Sequence, residues 1–178
     1  MSENFTLKDG RTVLIRQIRA GDYETVMTYL TKFSQTPSAI WTYSYPGRPW
    51  SDKEKSVKAY EDPNQLFLGA FDGETLIGLS QIGFVKPDHP YAGKNTSFGI
   101  SLLEEYTGQG IGFRLMTLME QWARDHGAHR ISDSVRQKNM RGVAFYLKCG
   151  FQIEGLAVQD AFINGEWHNT YYIGKVLE

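Results

Sequence analysis

Three glycines at alternate positions, Gly108, Gly110 and Gly112, stand directly before a run of helical periodicity in the stretch YTGQGIGFRL, residues 106 to 115. No other feature restricts the fold of this chain as tightly. Glycine loses more backbone freedom on ordering than any other residue, so three at the mouth of a helix need a reason. One reason is chemical: a helix N-terminus carries N–H groups without intrahelical partners, and glycine lets an anion such as a phosphate come close to them. The other is a tight turn that happens to be glycine-rich. The spacing is not the Gly-x-Gly-x-x-Gly of a dinucleotide site, and no Gly-Lys-Ser/Thr follows, so neither nucleotide motif is present.

The pattern on either side of the loop sets the fold class. Ile111, Leu115, Leu118 and Trp122 recur at helical spacing, and Gly127 stops the helix after Arg124 and His126. Before the loop, Thr12 to Ile18, Gln65 to Phe71, Glu74 to Val85 and Asn95 to Leu103 read as strands, the middle two joined by the hairpin signal Asp72-Gly73. Asp22 opens an amphipathic helix to about Phe33, with Tyr23, Val26, Met27 and Leu30 on one face. Ser51-Asp52-Lys53-Glu54 fits a capping box for a second helix to about Tyr60. After the loop come a strand from His129 to Val135, a short helix from the N-cap Asn139 to Lys148, and strands at Phe151 to Ala157 and Thr170 to Leu177. The turn pair Asn164-Gly165 lies between those last two strands. The expected architecture is α/β: one domain over residues 1 to 178, with a mixed, strongly twisted sheet of about seven strands flanked by helices.

Composition excludes several classes. Lys plus Arg number 19 against 20 Asp plus Glu, which leaves no basic footprint for nucleic acid or an anionic membrane. No apolar stretch approaches a membrane span, and the N-terminal segment carries charge throughout, unlike a signal peptide. A single cysteine, Cys149, cannot form an internal disulfide, so the chain reads as a reduced, cytoplasmic protein. The four histidines, His89, His126, His129 and His168, lack metal-ligand spacing with Asp, Glu or Cys, and no metal is expected.

Twenty-seven residues beyond Gly112 begins NMRGVAFYLKCGF, Asn139 to Phe151. Together with Thr107-Gly108-Gln109-Gly110-Ile111-Gly112, it resembles the two signature segments of the GNAT superfamily of acyl-coenzyme A-dependent N-acetyltransferases. One departure is Thr107, which stands where the family usually has Gln or Arg. The resemblance covers about the whole order of elements. It implies that the strands Asn95 to Leu103 and His129 to Val135 are parallel and splay apart to admit the pantetheine arm. It further implies that a bulge near Ser101-Leu102 frees an N–H for the thioester carbonyl, with Leu102 and Leu103 offering only backbone and apolar contact, and that the pyrophosphate rests on Gly108 to Gly112, just after Thr107. The coenzyme is then acetyl-coenzyme A. The acceptor is a small-molecule or peptide amine, neither nucleic acid nor membrane is a partner, and a homodimer is compatible with the family.

The same resemblance makes Tyr146 the acid that protonates the departing thiolate; the plainer reading is a core tyrosine. Asn139 caps its helix and can touch the pantetheine, and Lys148 reads as an exposed lysine. Cys149, with no histidine beside it in sequence, reads as a packed residue rather than a nucleophile. Trp41, Tyr43 and Tyr45, with Trp50, lie where the family builds its acceptor site, and either contact the acceptor or pack on the domain. No carboxylate stands on the strand before the loop. Asp133 shares a face with Ile131 and Val135, so it is either a base of raised pKa or a hydrogen-bonded aspartate that fixes the splay. Glu104 and Glu105, beside the loop, are weaker candidates for the base, and a water chain could replace it.

Overall fold

The structure is a computed structural model and describes residues 1–42, 45–48 and 52–178. Its elements are β1 (Ser2–Thr6), β2 (Thr12–Gln17), α1 (Tyr23–Ser34), α2 (Lys53–Tyr60), β3 (Gln65–Asp72), β4 (Thr75–Phe84), β5 (Asn95–Leu102), α3 (Ile111–Asp125), β6 (Arg130–Arg136), α4 (Met140–Lys148), β7 (Gln152–Ile163) and β8 (Glu166–Val176). The strands form one mixed sheet of eight, in the hydrogen-bonded order β1-β2-β3-β4-β5-β6-β8-β7. The pairing of β5 with β6 is parallel; the β1–β2, β2–β3, β3–β4, β6–β8 and β7–β8 ladders are antiparallel.

The chain divides into two compact units, and β5 and α3 pass from one to the other. The first holds Met1–Gly83 with Gly99–Trp122. Its core is β3, buried on both faces from Leu66 to Phe71, with Ile15, Ile77, Ile111 and Leu115. The expected stripe of α3 is met, since Ile111, Leu115, Leu118 and Trp122 are all buried. The expected face of α1 is corrected: Val26, Tyr29 and Phe33 are the buried stripe, while Tyr23, Met27 and Leu30 are only half-buried. Tyr29 and Phe33 stack with ring centroids 6.0 Å apart, so two aromatics at a spacing of four set the helix rotation. Asp52 is the N-cap of α2, accepting the Lys55 N–H at 2.9 Å; Ser51, where the box was expected to start, lies outside the described residues.

The eighth strand, one more than expected, is β1. Glu3 and Phe5 on its inner side are half-buried, and Asp9-Gly10 turns the chain into β2 with Gly10 at φ +89°. Glu3 clamps Arg114 in the first turns of α3 through two bonds of 2.6 and 2.5 Å. This strand therefore buttresses the start of the helix that follows the glycine loop.

The second unit holds Phe84–Phe98 with Ala123–Glu178. The β5–β6 register is formed at two rungs, Asn95↔Arg130 and Thr96↔Ile131. Phe98, Ile131, Val135, Phe151 and Ile173 are buried around it. The β7–β8 hairpin runs further than the sequence suggested, to Ile163 and Glu166. Its two-residue turn, Asn164-Gly165, has φ +51° and +84°, the backbone of the primed turns that match strand twist.

Candidate active site

The glycine loop belongs to the first unit. A 3-10 turn at Glu104–Tyr106 brings the chain off β5, and the Tyr106 hydroxyl anchors it by donating to Asp72 at 2.8 Å while Arg11 lies over its ring. Thr107 turns its hydroxyl back to the Glu104 carbonyl at 2.8 Å, so its side chain locks the loop. Gly108 and Gly110 have φ +76° and +96°, where a side chain is strained; Gly112 lies within α3. A Cβ on Gly108 would meet nothing within 4 Å, whereas one on Gly110 would meet the Phe5 ring at 3.3 Å. Two of the three glycines are thus required by backbone conformation alone, so the turn reading accounts for them without a ligand.

A ligand is nevertheless suited to the loop. The first α3 bond across it is from Arg114 N–H to the Gly110 carbonyl, so the N–H groups of Ile111, Gly112 and Phe113 precede the helical ladder. Gln109 adds a side-chain oxygen that is buried with no hydrogen-bond partner among the described residues. A group presenting an anion to the helix mouth and a hydroxyl or N–H to Gln109 fits both.

Of the three β5-end residues, Leu103 is the least available. Its side chain is fully buried and its N–H donates to the Ile77 carbonyl at 2.9 Å. Ser101 and Leu102 remain as half-buried ends of the strand. The Ser101 hydroxyl accepts from Tyr29 at 2.8 Å, and burial pushes the Tyr29 phenol well above its ordinary pKa. Sequence reading missed this pair, because nothing in the chain couples two residues 72 positions apart. On the helix connection, Trp41 is half-buried at the end of the 3-10 turn Pro37–Trp41 and Tyr45 is exposed, while Tyr43 and Trp50 lie outside the described residues. Ser38 on that turn hydrogen-bonds Glu104, and Glu105 pairs with Lys32 at 3.1 Å.

The second unit brings Tyr146 and Asp133 together. The Tyr146 ring packs edge-on against Phe98 at 5.4 Å and Phe151 at 6.0 Å, and its hydroxyl has no hydrogen-bond partner among the described residues. Burial first, then the charges of Asp133 and Cys149, push this phenol well above its ordinary pKa, so it keeps its proton across the physiological range. Asp133 accepts from Ser97 Oγ at 2.9 Å, Phe98 N–H at 3.1 Å and its neighbour Ser134 N–H at 2.7 Å. The carboxylate thus takes up the β5 backbone just past the last β5–β6 rung. Burial raises its pKa and the three donors oppose the rise.

Asn139 caps α4, accepting the Gly142 N–H at 3.0 Å. Lys148 is exposed, and Cys149 is buried at the helix end with its carbonyl accepting from Lys175. His89 accepts the backbone N–H groups of Tyr91 and Ala92, a loop role.

The model of the acetyltransferase (GNAT) family matches residues 30–151, and the chain belongs to that family. Among curated relatives, the uncharacterized N-acetyltransferase YobR of Bacillus subtilis is 27% identical over 126 residues, 67% of this chain and 48% of that protein. The chain therefore spans about half the length of that relative. The spermidine N(1)-acetyltransferase of Thermoplasma acidophilum is 27% identical over 158 residues, 80% of this chain and 90% of that one. The fold is shared by a GNAT superfamily phosphinothricin acetyltransferase from Sinorhizobium meliloti, solved in complex with acetyl-coenzyme A, with a TM-score of 0.78, 18% identity and coverage of 93% and 88%.

Proposed function

We propose that the chain transfers an acetyl group from acetyl-coenzyme A to a primary amine of a small molecule or amino acid, the amine attacking directly. The observation that carries this reading is Tyr146, a phenol packed edge-on against Phe98 and Phe151 whose hydroxyl has no hydrogen-bond partner among the described residues, on the segment that resembles the family's acid. Bound coenzyme would supply the activated thioester carbonyl. The N–H groups from Gly108 to Gly112 would hold its pyrophosphate, with the Gln109 side-chain oxygen accepting from an N–H or hydroxyl elsewhere on the coenzyme and Thr107 stiffening the loop. Ser101 and Leu102 would offer backbone to the pantetheine arm, as would Asn139 beyond its cap. Tyr146 holds the proton that the leaving thiolate needs, at its Oη. Asp133 acts as a positioning residue: it fixes the β5 backbone at Phe98 and its charge raises the proton affinity of Tyr146. Trp41, Tyr43 and Tyr45 are proposed to contact the acceptor.

The acceptor class follows a relative that matches 80% of this chain, a spermidine acetyltransferase. The test is a panel of polyamines, aminoglycosides, amino acids and peptide N-termini with acetyl-coenzyme A, read as free thiol release and acceptor mass. Thiol release with a small amine supports the reading. Release with peptides alone would point to a protein N-terminal acetyltransferase. Tight coenzyme binding with no release from any amine would point to a non-catalytic acyl-coenzyme A-binding module.

A further inference from the structure

The β1–β2 hairpin meets the glycine loop and its flanks at three points. Beside the hairpin turn, the Arg11 guanidinium lies 5.0 Å from the centre of the Tyr106 ring and pairs with Asp72, which accepts the Tyr106 hydroxyl. The Phe5 ring comes within 3.3 Å of where a Cβ on Gly110 would stand. Glu3 holds Arg114 through two charge-assisted bonds. The contacts therefore fall at residues 106, 110 and 114, and bracket the loop from its entry to the first turn of α3.

Two backbone repeats bring the last two contacts into step. Glu3 and Phe5 alternate onto the half-buried side of β1, and a step of two along a strand spans roughly 7 Å. Gly110 and Arg114 are one helical turn apart, joined by the Arg114 N–H to the Gly110 carbonyl, a rise of roughly 6 Å. One strand step thus matches one helical turn, with an apolar ring against the glycine and a carboxylate against the arginine. β1 is an edge strand bonded to β2 alone, and both of its half-buried side chains meet the loop or the start of α3. The acids in these contacts are matched by cations, Glu3 by Arg114 and both Asp9 and Asp72 by Arg11. The hairpin thus braces the loop without setting an unpaired carboxylate of this group beside it.

We infer that Phe5 and Glu3 are positioning residues for the acyl donor: they hold the glycine loop in its anion-accepting form and so set how tightly the donor's diphosphate binds. The inference rests on the reading of this loop as the diphosphate site. Gly108 and Gly110 sit at φ +76° and +96°, a backbone that many other conformations compete with in a free glycine segment. A loop fixed beforehand binds without that ordering cost, and an unbraced one must be ordered by the ligand.

Isothermal titration calorimetry with acetyl-coenzyme A and with S-acetylpantetheine, which lacks the diphosphate, tests this, with circular dichroism following the fold. The wild type should bind acetyl-coenzyme A more tightly than S-acetylpantetheine. Phe5→Ala should weaken acetyl-coenzyme A about tenfold, the loss expected when one residue's backbone is left for the ligand to order, and leave S-acetylpantetheine unchanged. Phe5→Leu keeps an apolar side chain against Gly110 and should restore most of the affinity. Glu3→Gln removes the charge that holds Arg114 and should weaken acetyl-coenzyme A selectively as well, which keeps the test decisive if Phe5→Ala does not fold. A wild type that binds both donors equally would overturn the diphosphate reading of the loop, and the inference with it. A wild type that prefers acetyl-coenzyme A, with the variants binding it unchanged, overturns the inference alone. So does an equal loss for both donors, or a gain in Glu3→Gln, which would mean that Arg114 leaves Glu3 for the phosphate.

Discussion

Replacing Asp133 by asparagine separates positioning from proton abstraction. The carboxylate serves three donors, with Ser97 and Phe98 on one oxygen and Ser134 on the other. An asparagine keeps one oxygen and turns an NH2 group toward a backbone N–H, leaving a half-buried donor unmet. That costs about 1–3 kcal/mol. For a chain of this length each kcal/mol moves the melting temperature by roughly 2–4 °C, so a fall of about 2–12 °C is expected at pH 7. The direction with pH follows from the raised pKa of Asp133. A carboxyl whose folded pKa lies above its unfolded value adds stability that is fully present below about 3.8 and is lost as pH rises through the folded value. Asparagine cannot add it, so the gap between wild type and variant should widen as pH drops from 7 toward 4. Thermal unfolding by circular dichroism at several pH values reads this, and a pH–rate profile reads the chemistry. In the positioning account, turnover falls while the acidic limb stays where it was. An unchanged melting temperature at every pH, together with loss of the acidic limb, would refute the positioning role and make Asp133 the base.

Three further outcomes follow from the geometry. Gly108→Ala places a methyl in open space at φ +76°, so its cost is the left-handed backbone alone, about 1–2 kcal/mol. If the loop holds phosphates, calorimetry should show coenzyme affinity falling by tenfold or more in the folded variant; unchanged affinity would leave the loop a plain turn. Tyr29→Phe removes the donor to Ser101 and should cost about 0.5–1.5 kcal/mol of stability. It should also raise the KM for the acyl donor more than it lowers kcat, and a variant with unchanged KM would confine Tyr29 to packing. The Asp22 carboxyl is held below its usual pKa, first by Arg16 and then by the Arg19 N–H, so its contribution is present above about pH 3.8 and is lost as pH falls through the folded value. Asp22→Asn should therefore lower the melting temperature at pH 7 and lose that deficit in acid; a deficit independent of pH would refute the assignment.

Local signals carried most of this fold, and long-range ones carried the site. The α3 stripe, the Asn139 cap and the Asn164-Gly165 turn were legible because each depends on residues within one or two turns of chain. The strand β1 was not read, because its polar residues Ser2, Glu3, Asn4 and Thr6 hid a short amphipathic edge whose plain sign is the Asp9-Gly10 turn. The α1 face was right at Val26 and misplaced around it, because Tyr23, Met27 and Leu30 satisfy helical periodicity with Val26 as well as Tyr29 and Phe33 do, and only the packing partners choose between them. Leu103 matched the resemblance yet gives its N–H to Ile77, a partner on another strand. Asp133 was recognised as an aspartate on an apolar face. Its donors Ser97 and Phe98 lie 36 and 35 residues away, beyond what alternation along one strand can reveal.

The central claim is that Tyr146 supplies the proton for the leaving thiolate, and single turnover of Tyr146→Phe tests it most directly. Loading the variant with acetyl-coenzyme A and mixing it with an accepted amine isolates chemistry from product release. The ring contacts with Phe98 and Phe151 need no hydroxyl, so fold and coenzyme affinity should be retained. A positioned acid contributes about 10²–10⁴-fold, and a thiolate leaves readily enough to place the loss near the lower figure. The account predicts a single-turnover rate about 10²-fold below wild type, with the coenzyme dissociation constant unchanged. A wild-type rate, or a loss that disappears at saturating coenzyme, would contradict it.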